Sequence, residues 1–157
     1  MIYVLKNEPS PGAFCDLLDY GVNHCAYAVM VIRPLSRMTP RGEEVLKTLE
    51  PFLIEKKVSN KRPGTSNLAE NALVQKYKYD VTFSGLIQKL NDHLYGWLQP
   101  NFPEDICLLR ENQEPWFVSS ARKKDSFFLL ADGELSGLIQ KVPEMGRSLK
   151  KDDGQHG

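Results

Sequence analysis

The apolar residues of this chain change their spacing several times along its length, and each change marks a different element. In "SPGAFCDLLDYG" the residues Ala13, Phe14, Leu17 and Leu18 share one helical face, Ser10 stands where a cap belongs, Pro11 opens the first turn and Gly21 closes the segment. "HCAYAVMVIRP" is almost continuously apolar up to Pro34, the signature of a central strand covered on both faces. "MTPRGEEVLKTLEPFL" returns to helical spacing, with Thr39 as cap, Pro40 in the first turn and Val45, Leu46 and Leu49 as the stripe to be buried.

"FLIEKKVS" predicts a strand whose Lys56 and Lys57 suit an exposed sheet edge, where lysines discourage pairing with foreign chains. A polar loop, "SNKRPGTSN", follows. "NALVQKYKYDV" alternates, placing Leu73, Gln75, Tyr77 and Tyr79 on one face and Val74, Lys76 and Lys78 on the other. From Phe83 to Trp97 apolar residues recur at helical spacing, which predicts the longest helix of the chain. The grammar then changes to strands, "DICLLR", "PWFVSSAR" and "SFFLLAD", joined by connections too short for parallel crossovers. "DGELSGLIQKVP" predicts a last helix.

Packed together, these elements predict an α+β fold: a predominantly antiparallel sheet of about five strands, three to four helices packed on it, and a C-terminal three-strand meander. Residues 1–143 form the expected single domain, and 144–157, charged and glycine-bearing, the expected flexible tail.

Composition narrows the range of functions. Among 157 residues, acidic and basic side chains balance at 20 each, so no global field draws the protein to nucleic acid or an anionic membrane, and any such binding must come from a local patch. No run approaches the roughly eighteen apolar residues of a membrane helix, and the N-terminus lacks a basic segment followed by an apolar one, so a cytoplasmic location without membrane partners is expected. Cys15, Cys25 and Cys107 are odd in number and widely spaced, which suggests neither a disulfide framework nor a zinc site. All three read as structural.

Candidate chemistry concentrates in "FPEDICLLRENQEPWFVSS". Adjacent Glu104 and Asp105 have the makings of a general acid and base or of cation ligands, with His93 the nearest histidine, although Pro103-Glu104-Asp105 also reads as a rigid turn in which Asp105 accepts backbone N–H groups. Ser119 and Ser120 lie mid-strand, outside any nucleophile motif, and His24 and Cys25, as neighbours on a strand, should face opposite ways. No catalytic residue, metal site or cofactor is assigned. Lys56, Lys57, Lys61, Arg62, Lys76 and Lys78, interleaved with Tyr77 and Tyr79, form the alternative: cations beside stacking aromatics are what single-stranded nucleic acid requires.

The preferred reading is a small, intracellular, non-enzymatic protein-interaction module that uses the 59–67 loop and the Pro103 to Lys124 meander, with Lys61, Arg62, Glu104, Asp105, Trp116, Arg122 and Lys123 as the binding residues. In size and class the chain resembles small bacterial accessory proteins, toxin-neutralising immunity proteins among them, so an immunity-type or regulatory role is expected. Nucleic-acid binding is the alternative and a carboxylate- or metal-dependent hydrolase the lesser one.

Overall fold

The computed structural model of the protein describes residues 1–34, 37–64 and 67–152. Its strands are β1 (Ile2–Leu5), β2 (Tyr27–Ile32), β3 (Leu53–Ser59), β4 (Ala72–Lys78), β5 (Glu104–Leu109), β6 (Pro115–Ser120), β7 (Asp125–Leu129) and β8 (Leu149–Asp152). They make one open sheet in the order β3-β4-β2-β5-β6-β7-β1-β8, and every neighbouring pair is antiparallel. Among the described residues the helices are α1 (Pro11–Gly21), α2 (Pro40–Leu49), α3 (Val81–Leu90), α4 (Glu134–Lys141) and α5 (Met145–Ser148).

The helices share one core on one face of the sheet. Phe14, Leu17 and Leu18 of α1, Val45 and Leu49 of α2, Phe83 and Ile87 of α3, and Leu138 of α4 pack there with Ala28, Met30, Tyr77, Leu108, Phe117 and Phe128 from the strands. The predicted caps form: Ser10 Oγ accepts the Ala13 N–H at 3.2 Å, and Thr39 Oγ1 accepts that of Gly42 at 3.1 Å. Tyr77 and Tyr79 turn toward this core, with the Tyr79 hydroxyl donating to the Leu18 carbonyl at 2.6 Å.

The opposite face carries a smaller core of Val29, Val31, Val74, Cys107, Leu109 and Val118, closed by Leu68 from the β3–β4 connection. That connection can lie flat because Gly64 adopts φ +73°, and a Cβ there would fall 2.7 Å from Val118. Central β2 is therefore covered on both faces, as its continuous apolar run predicts.

Three expectations need correction. Among the described residues the sheet has eight strands, not about five, and the helices number five, not three to four; the meander β5-β6-β7 forms as expected, but β1 and β8 extend the sheet beyond it, and α5 leads into β8. The segment expected as a tail from 144 begins with α5 and β8, because β8 pairs with β1 along its whole length; residues 153–157 lie outside the described residues. The helix expected to reach Trp97 ends at Leu90. Asn91 is extended there (φ −166°, ψ 114°), its carbonyl accepts the Trp97 indole N–H at 2.9 Å, and Glu8 accepts the Tyr95 N–H at 2.8 Å, so Leu94 and Trp97 reach the core from a short 3-10 turn. Among the described residues the longest helix is instead α1, with 11 residues.

Candidate functional site

The two segments expected to bind meet on the sheet face away from the helices. Glu104 and Asp105 open β5, and a register shift against β2 places three steps of β5, from Glu104 to Cys107, opposite two of β2, from Val31 to Val29. Asp105 accommodates the extra residue with φ 64°, a left-handed conformation that Asp and Asn tolerate better than most side chains. Strict alternation would send neighbouring carboxylates to opposite faces, but the bulge lets both reach a single arginine. Arg33 Nε donates to Glu104 at 2.9 Å and its Nη2 to Asp105 at 3.1 Å.

Two further arginines complete the cluster. Arg62, from the β3–β4 connection, donates to Asp105, and Arg122, from the β6–β7 turn, donates to Glu104 at 2.7 Å. Backbone N–H groups of Gln99 and Ala121 fill the remaining positions at 3.2 and 2.8 Å, so every oxygen of both carboxylates already accepts at least one hydrogen bond. The Gln99 side chain in turn clasps the Arg33 backbone, accepting its N–H at 2.6 Å and donating to its carbonyl at 2.9 Å. Arg62 is itself 5% exposed and its Nε has no hydrogen-bond partner.

This geometry is that of a clamp, in which charged donors hold both carboxylates. Glu104 and Asp105 are fully buried and saturated with donors, and His93 Nδ1 lies 2.9 Å from the Asp92 carboxylate. His93 is exposed, whereas the side-chain partners of Glu104 and Asp105 among the described residues are Arg33, Arg62 and Arg122. Among the described residues, no group of three or more His, Cys, Asp or Glu is arranged to hold a metal ion. Burial pushes the thiols of Cys25 and Cys107 up to about 12, far from the range of a thiolate nucleophile. Ser119 Oγ donates to the Ile106 carbonyl at 2.7 Å.

What the clamp does is hold the loop residue Arg62 against β5, and beside it lies a groove of about 280 Å³. Its floor is Val29, Val74 and Leu109, its wall carries Lys57, Lys61, Arg62 and Lys76, and Glu55 is the one carboxylate lining it among the described residues. Lys76 Nζ lies 4.5 Å from the centre of the Tyr27 ring and bonds the Gln113 side chain from the β5–β6 turn. A larger groove, of about 660 Å³, lies between α2 and the sheet edge, but it mixes Glu43, Glu44 and Glu50 with Lys47 and Lys56 and has no single electrostatic character.

Of the expected binding residues, Lys61 and Arg62 line the basic groove, while Arg122 is partly exposed above Glu104 and Lys123 is exposed at the adjoining turn. The other three, Glu104, Asp105 and Trp116, lie in the interior. Trp116 is fully buried, stacked on His24 at 5.6 Å and edge-on to Phe128 at 5.1 Å, so it belongs to the core. His24 contacts Glu134 at 3.2 Å, and Glu134 is also bound by Arg110. Tyr77 and Tyr79, which the nucleic-acid alternative needs as stacking surfaces, are 1% and 4% exposed. Residues 65 and 66 of the predicted loop lie outside the described residues.

Arg33 was not singled out from sequence. The available signal was a cation at the end of a buried strand, immediately before Pro34, where the cost of an unpaired charge demands a carboxylate partner. None of the described helices is long and apolar enough to cross a membrane. Searches of family models, curated proteins and solved structures found nothing that matches this chain.

Proposed function

We propose that this chain is a non-enzymatic protein-interaction module that holds an acidic, partly apolar segment of another protein in the groove between the β3–β4 connection and β2, β4 and β5. The observation that carries this reading is the gathering of Lys57, Lys61 and Lys76 around an apolar floor, against one lining carboxylate among the described residues, Glu55; Arg62 lines the same wall but its charge is committed to Asp105. The cations select an acidic partner and reject a basic one, while the lysine stems and the little of Val29, Val74 and Leu109 that stays accessible supply apolar contact. An immunity-type or regulatory accessory role belongs to the same reading.

Single-stranded nucleic acid fits less well, because Tyr77 and Tyr79 lie in the helix-side core and Tyr27 is already covered by Lys76. The test compares immobilised wild type with Lys61→Glu/Lys76→Glu in lysate of the native host, with and without nuclease. The expected outcome is a stoichiometric protein with an acidic segment, retained after nuclease treatment and reduced at least about tenfold by the double variant. Recovery that is nuclease-sensitive, or equal for the two proteins, overturns the reading.

A further inference from the structure

Strand β3 ends the sheet, and no described residue pairs with its outer side. It is seven residues long and carries two of the chain's exposed large apolar side chains, Ile54 at 53% and Val58 at 71%. Such an edge offers a row of free backbone donors and acceptors to another strand. The sequence of this edge, Leu53-Ile54-Glu55-Lys56-Lys57-Val58-Ser59, reads as complementary to its own reverse.

We infer that β3 pairs antiparallel with β3 of a second copy of this chain, about a twofold axis through Lys56. In that register Glu55 lies opposite Lys57 of the second copy and Lys57 opposite its Glu55. Val58 falls beside the second copy's Ile54, which sits at the bulge between Leu53 and Glu55. Within one copy Glu55 and Lys57 already share the open face, with Lys57 Nζ 3.6 Å from Glu55, so pairing turns one exposed ion pair into an alternating four-charge patch.

The register is selected rather than merely allowed. If the two sheets join into one with their helices on the same side, directly opposed residues must occupy the same face, so registers change in steps of two residues. Centring the axis on Glu55 sets Glu55 against Glu55, and centring it on Lys57 sets Lys57 against Lys57; neither brings Glu55 opposite a lysine. The register on Lys56 opposes that lysine to its own copy, and there the side chain projects to the helix side, along the groove where the carboxylates of Glu43, Glu44 and Glu50 outnumber Lys47 and offset the repulsion. Charged edges that block most partners while admitting one complementary strand give specificity by repulsion. The dimer sets the two basic grooves on one face, on either side of the axis, with Glu55 and Lys57 shared between groove and interface.

Sedimentation equilibrium over a concentration series tests this with four proteins: wild type, Lys57→Glu, Glu55→Lys, and the swap Glu55→Lys/Lys57→Glu. The wild type is expected to dimerise. Each single variant places like charges opposite each other at two symmetric positions and should raise the dimer Kd at least about tenfold, and the swap, which restores both pairs, should return it to within about threefold of wild type. The substituted side chains are exposed, so folding is verified by circular dichroism without ambiguity. A wild type that stays monomeric, single variants that dimerise like wild type, or a swap that remains monomeric each overturn the inference.

Discussion

Replacing Asp105 with Asn isolates what the buried clamp contributes. Asn has nearly the volume of Asp and tolerates the left-handed backbone at φ 64°, so the bulge is preserved and only the charge and half of the acceptor capacity are removed. The amide oxygen can keep the Ala121 N–H, now at 2.8 Å, but the amide nitrogen then faces two guanidinium groups, Arg33 at 3.1 Å and Arg62. Arg62 is only 5% exposed and cannot turn to water for compensation. Removing one partner of a buried pair costs about 3–5 kcal/mol, because the other charge stays buried without it. Against a total stability of roughly 5–15 kcal/mol for a domain, that is a large fraction.

The expected result is a free energy of unfolding in urea lowered by that amount, seen as a lower midpoint at an unchanged m-value, and a Tm lower by roughly 6–20 °C. Arg62→Met should cost less, since Asp105 retains Arg33 and Ala121. In the double variant the two losses should be far from additive, with a coupling of about 1–3 kcal/mol between the positions. An Asp105→Asn protein within about 1 kcal/mol of wild type, or strictly additive losses, would refute the clamp as a stabilising unit.

Gly64→Ala forces a Cβ into the left-handed region and to 2.7 Å from Val118, so it should cost about 1–3 kcal/mol and expose the β3–β4 connection to limited proteolysis before global unfolding. Glu134 gives a pH-dependent prediction. Burial raises its carboxyl, but hydrogen bonds from Arg110 and from the Ala131 N–H, with the charge of Arg110, outweigh that and hold it below its ordinary value of 4.5. A depressed folded value means that the contribution is complete above that ordinary value and is lost as the pH falls through the folded one. The stability gap between wild type and Glu134→Gln should therefore be constant near neutrality and close in acid, as read from urea midpoints at a series of pH values; a gap that widens in acid contradicts the assignment.

The sequence by itself determined the elements whose signals are local. Ser10-Pro11 and Thr39-Pro40 cap and open their helices wherever those helices pack, because cap and first turn lie within a few residues of each other. The continuous run of β2 and the short connections of the β5-β6-β7 meander likewise left little choice of environment or pairing. The basic cluster at Lys57, Lys61, Arg62 and Lys76 was also visible, since alternation already puts Lys76 on the face away from the tyrosines.

Tertiary structure decided everything that depends on distant partners. β1 and β8 are four residues each, too short to declare themselves, and exist because Ile2–Leu5 finds β7 on one side and Leu149–Asp152 on the other. The helical spacing that runs on to Trp97 was overridden at Asn91, where contacts with Trp97 and a tie from Glu8 to Tyr95 hold the following residues in another path to the same core. The fate of Glu104 and Asp105 turned on one extra residue in a strand. A bulge inverts the alternation by which a sequence assigns faces, and the arginines that make burial of two carboxylates tolerable come from positions 33, 62 and 122, which only the folded chain brings together.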